Sequence, residues 1–373
     1  MPPENPRILI IRLSAIGDVV RALPVLHILR DAYLHAQIDW AVERKSAQIL
    51  EEHPCLDNVL VFERPEKTWD AVRAFRAFCR EIRGRRYDMV LDMHGILKSG
   101  LITGMSGAPQ RYGFARPRAQ ELSWLFTNRR VRLGKRTMNR IEENLALCEL
   151  VTQRVSWPNI TIHVPEEIQE EVDAFIEDKF HGGKLLVAMH VPVDRPEKQW
   201  PIEYFARLSD LLLADGRFEV LLTWGPGQFA AVDEVMRLSR RRPVAAPDFP
   251  TLKHYAWAAH QAALYVGGDT GPMHIAWAMG TPVVAIFGGT DPAKHAPYCP
   301  PFETLHATDD WFDEGVRPTV EDRLARITPE IAYDACIRLL ARTRALRPVT
   351  PTDPTPLPPD AIIEGDDEDD VTA

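Results

Sequence analysis

The chain has 373 residues, 45% of them apolar and 26% charged, with a formal net charge of −9. That length accommodates two sizeable domains, and the composition is ordinary for a globular protein. The acidic balance argues against a general nucleic-acid binder, although the run at 364–370 supplies much of it and leaves the rest near neutral, with basic patches.

Residues 7–13 form a continuous apolar run that predicts a buried strand. Ser14-Ala-Ile-Gly-Asp18 is a turn into a helix at about 19–31. A strand at 38–42, a helix around 46–53 and a strand at 58–62 follow. Residues 69–84 read as a helix with an arginine-rich face, and 87–92 as a strand ending in Met93-His94-Gly95. Such alternation predicts a parallel sheet with helices on both faces. Residues 110–140 break the pattern, with few strand signals and nine Lys or Arg residues against one acid, Glu121. Trp124 and Phe126 interleave. The segment is either a solvated excursion or, the reading favoured here, an anion-binding surface, since cations without counter-charge repel one another.

A helix is expected at 139–153, a strand at 160–164, a charged helix at 166–179, and a hinge at His181-Gly-Gly183. The pattern then restarts with strand 185–190, helix 202–214, strand 219–223, helix 229–239, a weak strand near Val244 and a helix at 252–260. The stretch that follows is the most informative. A strand at 262–266 runs into Gly267-Gly268, and a helix starts at Thr270 with Pro272 in its first turn and stops at Gly280. A strand at 282–287 leads to the donor-rich turn Gly288-Gly289-Thr290. Free backbone N–H groups at the positive end of a helix make a phosphate site; the plain alternative is a structural βαβ turn. His274, four residues after Thr270, shares its face and favours the anion site. A last helix at 329–346 is expected to cross back onto the first domain. Residues 349–373, Pro-rich and then acidic, are expected to be disordered.

Cys55, Cys79, Cys148, Cys299 and Cys336 are scattered, odd in number and without C-x-x-C spacing. This argues against a disulfide framework or a zinc site and fits a reducing compartment. No signal-peptide pattern precedes the first strand, and no apolar run reaches the roughly 18 residues that span a bilayer. A cytoplasmic protein is expected, with any membrane contact peripheral.

Two α/β domains facing each other across a cleft bind ligands beyond the carboxyl ends of their strands. Residues 14–18 and 94–99 fall on one wall; 190–200, 223–228 and 267–274 fall on the other. Asp18 is either a first-turn acid that the helix dipole favours or a base that takes a proton from a hydroxyl nucleophile. Lys198 is either a solvated loop lysine or, with the helix start at Thr270, the counter-charge to a phosphate leaving group. There is no G-x-G-x-x-G after the first strand, which weighs against a nicotinamide dehydrogenase, and no P-loop or H-E-x-x-H motif. Asp309-Asp310, the nearest metal candidate, reads as a loop.

Three motifs together resemble glycosyltransferase family 9, the ADP-heptose:lipopolysaccharide heptosyltransferases, over about residues 7–346. They are Ser14-Ala-Ile-Gly-Asp18 with Leu23-Pro24, Asp269-Thr-Gly-Pro-Met-His274, and Phe287-Gly-Gly-Thr-Asp-Pro292. Asp92-Met-His-Gly-Ile-Leu-Lys-Ser99 and Leu125-Phe-Thr-Asn-Arg129 are most similar to the heptosyltransferase I branch. The resemblance implies a GT-B fold of two Rossmann-like domains. Residues 1–165 would bind the acceptor, 166–183 form a linker helix and hinge, 184–328 bind the nucleotide sugar, 329–348 form the returning helix, and 349–373 the tail. It implies inverting, metal-independent transfer from ADP-heptose to the Kdo/inner-core region, with no cofactor. Asp18 matches the catalytic base. Lys198, Thr223, Gln228, Asp269, Thr270, Gly271 and His274 are expected at the donor, with Asp269 taking heptose hydroxyls and the amides of Thr270 and Gly271 meeting phosphates. Ser14, Lys98, Arg118 and Arg129 are expected to face an anionic lipid A/Kdo acceptor at the inner membrane surface, where Trp124 and Phe126 would help docking. Heptosyltransferase II, another sugar transferase of the family, a nucleotide-sugar epimerase and a nucleotide-binding module are the rivals. Two departures stand out. Pro226-Gly-Gln228 follows Trp224-Gly225 where many relatives carry an acid for the ribose, and Ala119-Gln-Glu121 stands where Arg-Glu is often found.

Overall fold

The computed structural model describes residues 5–63, 65, 68–134, 137–153, 160, 162–180, 183–193, 195, 198–299, 301–313 and 317–345. The acidic tail and the hinge residues His181 and Gly182 lie outside them. Two compact units divide between residues 163 and 164.

The first unit begins with β1 (Arg7–Ile11), whose last four residues are buried. The single helix expected next is two, α1 (Ile16–Val20) and α2 (Leu23–Ala32). Pro24 explains the break, because proline is tolerated in a first turn and not in a helix interior. Then come β2 (Gln37–Glu43), α3 (Arg44–Ala47), β3 (Asn58–Phe62), α4 (Thr68–Gly84), β4 (Met89–Asp92) and α5 (Leu97–Ser106). Gly100 and Gly104 hid α5 from a propensity reading. Both are needed: a Cβ on either would come within 2.9 Å of the Phe126 ring.

Residues 110–140, where few strand signals were expected, are not irregular throughout. They contribute β5 (Gln110–Phe114), a 3₁₀ turn (Ser123–Phe126) and β6 (Arg129–Val131), ahead of α6 (Arg140–Thr152). The Arg111 side chain donates to the carbonyls of Ala108 at 2.7 Å and Phe126 at 2.9 Å. Backbone oxygens thus satisfy a cation that sequence reasoning left without a partner. α6 starts at a capping box between Asn139 and Glu142.

The sheet is wholly parallel, in the order β3-β2-β1-β4-β5-β6. α2 packs with α6, and α4 with α5; right-handed crossovers put the two pairs on opposite faces. At the amino-terminal end of the strands the fully buried Asp39 accepts hydrogen bonds from Tyr87 Oη (2.5 Å), Asn58 Nδ2 (2.8 Å), Gln37 Nε2 (3.1 Å) and Arg85 Nη1 (3.2 Å). Burial, together with this bond to Asp39, pushes the Tyr87 hydroxyl far above its ordinary range.

No strand forms at residue 160 or at 162–164, contrary to expectation. The second unit opens with α7 (Glu166–Lys179). The remaining elements are β7 (Leu185–His190), α8 (Ile202–Asp215), β8 (Phe218–Thr223), α9 (Phe229–Leu238), β9 (Val244–Ala245), α10 (Leu252–Gln261), β10 (Leu264–Gly268), α11 (Gly271–Ala278), β11 (Val283–Phe287), α12 (Pro292–His295), β12 (Phe302–His306), α13 (Val320–Arg326) and α14 (Pro329–Ala345). This sheet is also parallel, in the order β12-β11-β10-β7-β8-β9. α7, expected as a linker, packs on α10: Asp173 accepts from Trp257 Nε1 at 2.8 Å, and Glu171 lies 3.1 Å from His254 Nε2. α14 packs on α8 and beside β11 and β12, placing Cys336 and Leu339 in the core with Trp200, Phe205 and Phe218. Each such large apolar side chain contributes roughly 1.5–3 kcal/mol.

Candidate active site

In each sheet one place exists where the chain leaves in opposite directions from neighbouring strands. It lies between β1 and β4 in the first unit and between β7 and β10 in the second. Loops after the carboxyl ends of such strands form the usual ligand crevice of an open α/β sheet. The register sets Ile11 beside Asp92 and His190 beside Gly267. Most of the sequence-derived candidates lie near these two places; Arg129, at the start of edge strand β6, does not.

In the first unit, Asp18 sits in the first turn of α1 and is half-buried. Arg12, from the end of β1, and Arg21, one turn on, both pair with its carboxylate. Arg12 is itself anchored by donating to the Met93 carbonyl at 2.8 Å. Neither arginine was singled out from sequence, though Arg21 stands at the i,i+3 position from Asp18. Beside them, buried Asp92 accepts from the backbone N–H of His94 (3.0 Å) and Gly95 (2.9 Å), shaping the turn after β4. Burial holds the Asp92 carboxyl above its ordinary value against those bonds. Burial, aided by Arg12, pulls the His94 imidazole down to about 3, so the ring is neutral. Its Nδ1 accepts from Leu13 N at 3.4 Å.

The other first-unit candidates are engaged locally. Ser14 is half-buried beside this turn. Lys98 pairs with Glu43 at 2.6 Å. Arg118 is nearly buried, paired with Glu143 at 2.5 Å, and lies over the Phe114 ring at 4.6 Å. Arg129 is exposed on edge strand β6, 5.9 Å from the Tyr112 ring centroid.

The second unit brings four groups together. Asp269 Oδ2 accepts from Lys198 Nζ at 3.0 Å and from Thr290 Oγ1 at 2.7 Å. His274 Nε2 lies 3.9 Å from Oδ1 of the same carboxylate. Burial works to raise the Asp269 carboxyl, but His274, Lys198 and the Thr290 hydrogen bond outweigh it and leave it below its ordinary value. Thr290 belongs to the quoted Phe287–Pro292 motif and went unassigned from sequence. It also lines a cavity of about 420 Å³ with Gly288, Gly289, His306 and Arg323, a size within the range of small-molecule sites.

Thr270 occupies the position just before α11, and its hydroxyl faces the Gly268 carbonyl at 3.4 Å and does not cap the helix. Its first turn therefore presents the Gly271 and Met273 amides without a side-chain acceptor, at the positive end of the helix. Thr223 is buried at 1% exposure. Its hydroxyl meets His190 Nδ1 at 3.0 Å, so it supports the site from beneath rather than lining it. Gln228 Oε1 accepts from Gly225 N at 3.2 Å and closes its own turn. His190, pulled down to about 3 by burial, is neutral and packs edge-on to Tyr255. At Gly267 a Cβ would lie 2.4 Å from the Tyr265 hydroxyl and 3.2 Å from the His190 carbonyl, so only glycine fits. Among the described residues no cluster of three or more His, Cys, Asp or Glu is placed to hold a metal ion.

Comparison with known proteins bears on this geometry. The chain is 26% identical over 300 residues to the lipopolysaccharide core heptosyltransferase OpsX of Haemophilus influenzae, covering 79% of this chain and 83% of that one. The fold matches the crystal structure of a family 9 glycosyltransferase from Veillonella parvula with a TM-score of 0.80 at 24% identity, over 92% of this chain and 99% of that one. It also matches E. coli heptosyltransferase WaaC with ADP-2-deoxy-2-fluoro heptose, with a TM-score of 0.69 at 23% identity, over 90% and 99% of the two chains. The family profile for glycosyltransferase family 9 (heptosyltransferase) matches residues 75–313, more than half of the sequence. Two doubly wound units, each with an aspartate at the reversal point of its sheet, and this profile lead to one statement: the chain is a glycosyltransferase enzyme and belongs to glycosyltransferase family 9.

Proposed function

We propose that this enzyme transfers heptose from ADP-heptose to the Kdo/inner-core region of lipopolysaccharide, with inversion at the anomeric carbon, at the cytoplasmic surface of the inner membrane. The observation that carries the reading is the Lys198–Asp269–Thr290 cluster beside the uncapped start of α11. It sets one cation and a row of amides where a diphosphate needs counter-charge. A likeness to proteins named for lipopolysaccharide core and ADP-heptose supports the choice of substrates.

In this scheme the diphosphate lies against Lys198 and the Gly271 and Met273 amides, and Asp269 with Thr290 receives donor hydroxyls. Asp18 takes the proton of the acceptor hydroxyl as its oxygen bonds to the anomeric carbon. The bond from that carbon to the phosphate oxygen breaks, and ADP departs with the electron pair. Lys198 and the amides, rather than a metal ion, balance the leaving charge. Arg12 and Arg21 hold Asp18 in place until the acceptor arrives, and the neutral His94 adds no positive charge beside it.

Purified protein incubated with ADP-heptose and Kdo₂-lipid A, followed by mass spectrometry, tests the reading. Gain of one heptose is the expected product. Transfer only to an already heptosylated core would reassign the enzyme to the second heptose step. Donor hydrolysis or epimerisation with no acceptor product would overturn the transferase reading.

A further inference from the structure

Large apolar side chains exposed in the first unit are unevenly placed. Among the described residues there are seven, and six lie on one helical layer: Trp69 and Val72 on α4, Leu97 and Met105 on α5, Leu122 and Leu125 at the 3₁₀ turn. α5 packs between α4 and that turn, so the layer is continuous. Trp69 is 83% exposed, Leu125 63% and Leu122 54%, values far beyond an incidental edge of core. The aromatic residues expected to dock are not the exposed ones. Phe126 packs onto Gly100 and Gly104, and Trp124 is covered by Arg116 at 4.8 Å.

The same layer carries a column of cations. Trp69, Arg73, Arg76, Arg80 and Arg83 follow at spacings of four, three, four and three along α4, which makes one strip. The opposite strip, Phe75, Phe78, Cys79 and Ile82, is turned into the core. The side chains of those four arginines make no hydrogen bond or ion pair with other described residues, whereas the Arg85 side chain pairs with both Asp39 and Glu81. Like charges one turn apart repel, so the column is stabilised by an anionic partner.

We propose that the α4–α5–3₁₀ layer docks this protein on an anionic phospholipid bilayer, with the α4 arginines on lipid phosphates and Trp69, Leu122 and Leu125 in the interfacial zone. Charge complementarity favours this occupant, and the apolar side chains distinguish it from nucleic acid, which would engage the arginines alone. The proposal concerns the surface only and stands whichever sugar is transferred.

The test is flotation of the full-length protein with vesicles of phosphatidylethanolamine and phosphatidylglycerol, against vesicles in which phosphatidylcholine replaces the phosphatidylglycerol. Comigration with the anionic vesicles, reversed by salt, is expected. The triple reversal Arg73→Glu, Arg76→Glu, Arg80→Glu should weaken partition roughly a hundredfold or more. Trp69→Ser with Leu122→Ser and Leu125→Ser should weaken it at unchanged charge. ADP affinity and Tm of each variant report whether the fold is intact. Equal binding to both vesicle types, no binding, or wild-type binding by the charge-reversed protein would overturn the proposal. None of these results touches the sugar-transfer reading, because the vesicles contain no acceptor and transfer to a delipidated soluble acceptor needs no vesicle.

Discussion

The two sheets put the same pair of residues at their reversal points, a partly buried aspartate and a neutral histidine, and surround the aspartate differently. Asp18 faces two guanidinium groups, so its neighbourhood keeps a surplus positive charge. Asp269 faces one lysine and one hydroxyl, with His274 at 3.9 Å, so a single cation stands beside this carboxylate, and the helix start next to it adds to the attraction for an anion. A carboxylate is thus not a role. The two carboxylates differ in the count and type of the groups that hold them.

Breaking the first half of that contrast should have the largest effect. Asp18→Ala is expected to lower kcat by about 10² to 10⁴ with donor affinity nearly unchanged; kcat with a soluble core acceptor and ADP affinity by calorimetry measure the two arms. On the other side, Lys198→Ala should lower kcat/KM by roughly 10² to 10³ and, unlike the Asp18 change, should also weaken ADP binding. If both variants affected donor binding equally, the assigned division of labour would be wrong.

The paired histidines give a comparison in stability. His94 and His190 stay neutral down to about 3 in the folded chain, while the unfolded chain protonates them near 6.5. The unfolded state therefore binds more protons below pH 6.5, and stability falls as pH drops from 6.5 toward 3. Each histidine should account for about 2 kcal/mol between pH 7 and 5. Urea unfolding of His190→Gln should be flatter over that window by this amount. The last comparison is steric. Gly267→Ala should cost about 1–3 kcal/mol, because the new Cβ meets the Tyr265 hydroxyl and the His190 carbonyl, whereas Gly84→Ala has open space and should be neutral or slightly stabilising.

Much of this site was legible because it is local. The Gly267–His274 turn, the strand before it and the helix stop at Gly280 all depend on residues within one short stretch, and the parallel alternation follows from apolar runs. What stayed hidden depends on distance. Arg12 reaches Asp18 and the Met93 carbonyl at once, and Thr290 reaches Asp269 across 21 positions. β5 and β6 were missed in part because Arg111 and Arg130 are satisfied by carbonyls, which leave no trace in a count of charges. Thr223 and Gln228 were placed at the right strand end and turn, but burial and turn closure, which sequence does not display, direct them inward.

Asp39 has a consequence for how the first unit assembles. Its hydrogen-bond donors come from its own strand, from Asn58 on β3, and from Arg85 and Tyr87 just before β4. A slip of β3 by one residue would turn Asn58 away and leave a buried carboxyl with fewer hydrogen-bond donors, at a penalty above that of a misplaced methyl group. The acid thus works as a proofreading device for strand alignment. It sits at the end of the sheet remote from the chemistry, where it fixes which residues emerge at the other end.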